Sequence, residues 1–217
     1  MEEQLLGGRV TVGLVRDGDV IKRPMPQNAQ FQMRALSHMR KRGICFVPKC
    51  FGADEKNRLV LEYIEGECPA NLGLFTDEQC EKAFRMIRAL HDAGRDFGSD
   101  GETICHGDLS PCNFVFREGM PQAIIDWDAA HMGDAATDVA YAIWMWLDAG
   151  NEEIPAEAFR RRMGKVLDAY GAEIRDIKER MVAEALRVAA SVFPTVEQTE
   201  ATKKWALHCA AWMKDNL

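Results

Sequence analysis

The chain has 217 residues, enough for one large domain or two lobes around a real core, and its 47% apolar and 28% charged composition is that of a globular protein. A low-complexity scaffold and a fibre are thereby excluded. With 27 Lys plus Arg against 34 Asp plus Glu, the net charge of −7 argues against broad adhesion to nucleic acid or an anionic membrane.

The longest uncharged apolar stretch, Val139 to Leu147, falls far short of the roughly 20 residues that cross a bilayer, so no membrane association is expected. The opening MEEQLLGG carries two acids and no basic region, which does not read as a secretory signal. Seven cysteines, an odd number with no C-x-x-C pair, point to reduced thiols and a cytoplasmic setting.

In chain order, Val10 to Arg23 places two β-branched runs around Asp17-Gly18, a strong hairpin signal. Asn28 to Gly43 sets Phe31, Ala35, Leu36 and Met39 at helical spacing before a terminal glycine. Phe46 to Phe51 and Arg58 to Ile64 read as strands, and the aperiodic stretch from Ile64 to Phe75, with Gly66, Pro69 and Gly73, reads as a connection between lobes. Thr76 and Gln79 form a capping box for a helix that Gly94 closes. Glu102 to Cys105, Phe114 to Arg117 and Gln122 to Ile125 are predicted strands. From Asp134 onward the chain is helical, divided by Pro155, Gly171 and Pro194 into about four helices. Residues 1–65 are therefore expected to form a small sheet-rich lobe and residues 66–217 a mainly helical one. The aromatic group Tyr141, Trp144, Trp146, Tyr170, Trp205 and Trp212 is expected in the core, and Arg160 to Arg162 on a solvated helix face.

The most informative segment runs from Ile104 to Asp128, where carboxylates and an amide crowd short strands and turns that would bury them at a cost. Asp108 and Asn113 lie five apart around Pro111, and Asp126 follows the apolar Ala123 to Ile125. Hard oxygen donors at two chain positions suit Mg²⁺, which takes one or two carboxylates and completes its shell with water and phosphate oxygens.

His106-Gly107-Asp108, four residues, Asn113, and then Asp126 thirteen residues later resemble the catalytic and metal loops of the aminoglycoside phosphotransferase and choline kinase-like group. That group shares the protein-kinase fold, in which the corresponding loops are H-R-D-x-x-x-x-N and D-F-G. The resemblance implies an α+β, two-lobed fold with a small antiparallel sheet plus one helix ahead of a helical lobe. It implies a kinase using ATP and Mg²⁺ on a hydroxyl of a small-molecule acceptor. By the same resemblance Asp108 orients that hydroxyl and takes its proton, while Asn113 and Asp126 hold the metal. Asp128 assists the metal or a substrate amine, His106 positions the loop, and Asp138 ties the loop to the following helix. Lys22 resembles the strand lysine that contacts the phosphates, with Arg23 sent to the opposite face by strand alternation. Gly7, Gly8 and Thr11 resemble the loop covering the phosphates, and Glu62 and Ile64 the hinge whose backbone reaches the adenine. In the fold the lysine pairs with a helix glutamate, but here the matching position holds Gln32, a departure that loosens the hold on Lys22. This departure also motivates a second reading, a nucleotide-binding regulatory module with little or no catalysis.

Overall fold

A computed structural model describes residues 2–4, 13–98 and 101–217. The phosphate-loop candidates Gly7, Gly8 and Thr11, and the start of the predicted hairpin at Val10, lie outside the described residues. The chain has the two-lobed, protein-kinase-like α+β architecture that the loops implied.

The sheet-rich lobe is a five-stranded antiparallel sheet built from β1 (Glu3–Gln4), β2 (Val15–Asp17), β3 (Val20–Pro24), β4 (Cys50–Ala53) and β5 (Arg58–Glu62), in the order β1-β2-β3-β5-β4. β2 and β3 form the predicted hairpin, with Gly18 at φ +62° in its turn. Helix α1 (Ala29–Lys41) crosses this lobe and buries Ala35, Leu36 and Met39, and its last turn carries His38, Arg40 and Lys41, which complement the helix dipole. The strand expected over Phe46 to Phe51 forms later, at Cys50–Ala53. Here Arg40 of α1 donates to the carbonyls of Cys45 (2.9 Å) and Val47 (3.1 Å), while the Phe46 carbonyl accepts the Ile124 amide (2.8 Å), so the backbone at 45–47 is satisfied by partners outside the sheet.

Helix α2 (Asp77–Gly94) opens the helical lobe with the expected capping box, Thr76 accepting from Gln79 N at 3.2 Å and Gln79 accepting from Thr76 N at 2.7 Å. Its buried stripe of Cys80, Phe84, Ile87, Leu90 and His91 follows the helical period. Next come β6 (Thr103–Cys105), β7 (Phe114–Arg117), β8 (Met120–Ile124) and β9 (His131–Gly133), pairing as two antiparallel ribbons, β6 with β9 and β7 with β8. Four helices complete the lobe: α3 (Ala135–Leu147), α4 (Ala156–Tyr170), α5 (Ile177–Ala189) and α6 (Val196–Asn216), broken where Pro155, Gly171 and Pro194 predicted.

Trp146 anchors this core. Its ring lies 4.9 Å from Phe114 and 5.0 Å from Phe75, centroid to centroid, and its Nε1 donates to the Leu109 carbonyl at 3.1 Å. Apolar packing thus fixes the backbone one residue beyond Asp108. Two expectations for the helical lobe change. Tyr141 is not a plain core aromatic, as described below, and Arg162 is not simply solvated: it reaches Asp77 at 2.8 Å and so clamps α4 to the start of α2.

Candidate active site

β6 delivers the chain into the loop that begins at His106. The His106 ring is fully buried against Trp127 (centroids 5.2 Å apart). Its Nε2 contacts the Ile125 carbonyl at 2.9 Å and its Nδ1 meets the Asp108 amide at 3.3 Å. A neutral imidazole donating from Nε2 and accepting at Nδ1 satisfies both neighbours, so His106 joins the loop holding Asp108 to the loop leading into Asp126. At Gly107 the backbone takes φ +79°, and an added Cβ would stand 2.4 Å from the Ala129 carbonyl oxygen, so only glycine fits the crossing of the two loops.

Asp138, in the first turn of α3 and almost fully buried, takes the His106 amide on Oδ2 (2.8 Å) and the Gly107 amide on Oδ1 (2.9 Å). His91 of α2 also reaches Oδ2, at 3.1 Å, and leans its other nitrogen on the Tyr170 hydroxyl at 2.9 Å. Burial alone would raise this carboxyl, but His91 and the His106 amide outweigh it and hold Asp138 below the usual range. The residue therefore ties the loop to α3 through ionised oxygens.

With its backbone fixed, Asp108 turns its carboxylate toward α3, where the Tyr141 hydroxyl donates to Oδ1 at 2.7 Å. Burial, reinforced by the neighbouring Asp108 charge, pushes the Tyr141 phenol well above its ordinary value, so it stays a donor. Asn113, at the end of a single 3-10 turn started by Pro111, donates from Nδ2 to the Asp108 carbonyl at 2.9 Å. Its own backbone carbonyl receives the Ile125 amide at 2.9 Å. The structure thus stitches Asp108, Asn113 and the residue preceding Asp126 into one unit. Asp126 itself adopts φ +61°, ψ +68°, a left-handed conformation that Asp tolerates better than most residues.

Of the two neighbouring cations on β3, Arg23 and not Lys22 reaches this loop. Arg23 Nη1 lies 3.3 Å from Asp126 Oδ1, and Nη2 bonds Asp128 Oδ2. Lys22 turns to the other face of β3, where its Nζ lies 2.6 Å from Asp17 and 3.4 Å from Glu2. The alternation along β3 holds, but the faces are the reverse of those assigned from the sequence. Register gives the cause: Arg23 pairs with Leu59, a fully buried residue on the inner face of β5, whereas Lys22 pairs with the less buried Val60. Asp128 also accepts from Gln32 Nε2 (3.4 Å), and its backbone carbonyl accepts from Asn28 Nδ2 (2.6 Å), so the start of α1 rests on this loop. Burial pushes the Asp128 carboxyl up, with Asp126 adding to the rise and Arg23 opposing it. At the expected hinge, Glu62 ends β5 opposite Val20, and Ile64 follows in the extended chain leading toward the helical lobe.

Gly107 and Tyr141, the neighbours of Asp108, line a cavity of about 270 Å³ together with His131, Thr137, Glu184 and Arg187 among others. Its charges are internally paired, Arg187 with Glu184 at 2.8 Å and Arg180 with Asp134 at 2.6 Å. Sequence reasoning did not place Tyr141, Glu184 or Arg187 at the site. The signal for Tyr141 was present, because positions 138 and 141 share one helix face; nothing local in α5 marks the other two.

Residues 99–173, the span that holds both loops, match the Phosphotransferase enzyme family. Along nearly its whole length the chain is similar to the Trifolitoxin immunity protein of Rhizobium leguminosarum bv. trifolii, with 28% identity over 95% of this chain and 92% of that protein. Among solved structures, it superposes on the microcompartment-associated aminopropanol kinase with a TM-score of 0.67 at 14% identity, covering 99% of this chain and 91% of that one. Choline kinase LicA from Streptococcus pneumoniae gives a TM-score of 0.62 at 15% identity over 95% and 92% of the two chains. The chain has the protein-kinase-like fold seen in aminoglycoside phosphotransferases and choline kinases, and its loop-bearing segment matches the phosphotransferase enzyme family.

Proposed function

We propose that this protein is a phosphotransferase that moves the γ-phosphate of ATP, in the presence of Mg²⁺, to a hydroxyl of a small-molecule acceptor. The observation that carries this reading is the position of Asp108, stitched to Asn113 and the Asp126 loop on one side and held by Tyr141 at a cavity on the other. In this reading residues 1–65 form the nucleotide-binding lobe and residues 66–217 carry the catalytic loops and the acceptor pocket. The Glu62 carbonyl and Ile64 amide serve the adenine.

The donor set fits a hard cation. Asn113 engages Asp108 through Nδ2, which turns its side-chain oxygen elsewhere, and Asp126 supplies carboxylate oxygens from the adjoining loop. Asn113 and Asp126 would hold Mg²⁺, which would supply neutralisation of the phosphate charge that spreads in transfer. Tyr141 occupies Oδ1 of Asp108, leaving Oδ2 to orient the acceptor hydroxyl and take its proton as the new P–O bond forms and the bond to the departing ADP breaks. Tyr141 cannot compete for that proton, since it remains protonated. His106 and Asp138 act through the backbone, keeping the loop in register. The odd number of cysteines, with no C-x-x-C pair, supports a cytoplasmic setting.

The acceptor is sought by incubating the protein with ATP, Mg²⁺ and a panel of amino alcohols, sugars, aminoglycosides and other antibiotics, followed by mass spectrometry. The immunity role named for the Rhizobium relative is the reason to include antibiotics. A phosphorylated product that disappears when ATP is omitted is expected. Nucleotide binding without product across the whole panel would favour the regulatory module instead.

A further inference from the structure

We propose that Arg23 is the phosphate-contacting cation of the sheet-rich lobe, and that Asp128, from the loop opposite, supplies the carboxylate that orients it, with Gln32 as a neutral support. The inference rests on the phosphotransferase reading above. It assigns to Arg23, Asp128 and Gln32 the work that protein kinases divide between a strand lysine and a helix glutamate.

A guanidinium with 8% of its side chain exposed requires countercharge. Helix α1 supplies none, because it carries no acidic residue and the side chain it sends to Asp128 is Gln32, which is fully buried and neutral. The negative charge comes instead from Asp126 and Asp128, more than 100 residues further along the chain. Gln32 completes the arrangement by donating to the other Asp128 oxygen, Oδ1 at 3.4 Å. Its Oε1 is buried with no hydrogen-bond partner among the described residues, so Gln32 serves this cluster as a donor only.

The two carboxylates then have separate tasks. Asp126 is the metal-side group, and its contact with Arg23 is the longer one at 3.3 Å. Asp128 keeps the guanidinium in place when Asp126 turns to a cation, so the positive charge of Arg23 stays beside the phosphates. A planar guanidinium held at one fork suits that task, since it presents parallel N–H groups in fixed geometry. A glutamate at position 32 would place a third carboxylate against one arginine, repelling both Asp128 and an incoming triphosphate.

Titration calorimetry with ATP and Mg²⁺ on purified variants tests this, with thermal unfolding run alongside. Arg23→Ala is expected to weaken binding by at least about tenfold, and Arg23→Lys to recover part of the loss. Lys22→Ala should cost far less than Arg23→Ala, because Lys22 faces Asp17 and Glu2. Gln32→Glu, which restores the protein-kinase residue type, is expected to weaken binding by about tenfold. Adding Asp128→Asn to Gln32→Glu should return affinity to within about threefold of wild type, because the carboxylate has moved from loop to helix without changing the net charge. Tighter binding in Gln32→Glu, no recovery in the double variant, or a larger loss from Lys22→Ala than from Arg23→Ala would each overturn the assignment. A wild-type protein that binds no ATP overturns the phosphotransferase reading and this inference with it, whereas binding indifferent to Arg23 overturns the inference alone.

Discussion

Asp108→Asn is expected to lower the turnover of phosphoryl transfer by about 10²–10⁴, the range that a positioned general base contributes, while leaving the affinity for ATP within about twofold. The substitution is nearly isosteric. The amide oxygen can still accept from Tyr141 and the backbone contacts to Asn113 and His106 are untouched, so the loop keeps its shape. What changes is the group facing the acceptor: an NH₂ cannot take the hydroxyl proton. Steady-state kinetics and a nucleotide titration on the same preparation separate the two effects. Unchanged turnover would remove Asp108 from its role, and loss of nucleotide binding would show that its charge serves the lobe rather than the proton.

The second large effect is expected at Asp138. Its two oxygens receive the His106 and Gly107 amides and the His91 ring in a site closed to water. Asparagine offers one oxygen and turns a donor toward a donor, leaving a buried N–H without a partner. Breaking such a network costs about 3 kcal/mol, which in a chain of this size lowers the unfolding midpoint by roughly 6–12 °C. Turnover should fall with it, because the amides that set the direction of Asp108 lose their anchor. Thermal denaturation followed by circular dichroism checks the first outcome. An Asp138→Asn protein as stable as wild type would mean that the loop is held by Trp127, Trp146 and the His106 ring alone.

Much of the fold was open to sequence reasoning because its signals are local. The Thr76 and Gln79 box, the Asp17-Gly18 turn and the breaks at Pro155, Gly171 and Pro194 each act through nearby backbone, and each marks a boundary in the structure. Phe46 to Lys49 does not form a strand: Arg40 of the preceding helix takes the carbonyls of Cys45 and Val47, and the distant Ile124 amide takes that of Phe46. The same division runs through the site. His106, Asp108, Asn113 and Asp126 stand at the spacing of the resembled loops, so their proximity in the structure was legible from the chain. Arg23 and Lys22 are neighbours that alternation separates, yet alternation cannot say which face is inside. That choice depends on Leu59 and on a loop over 100 residues away. Tyr141 looks like any aromatic on an apolar helix until its hydroxyl is found on Asp108.

The most direct measurement of the central claim is the affinity for ATP with and without Mg²⁺, in the wild-type protein and in Asp126→Ala. Asn113 and Asp126 as metal ligands require tighter ATP binding when Mg²⁺ is present and loss of most of that gain in the variant. Equal affinity in all four titrations would contradict the account.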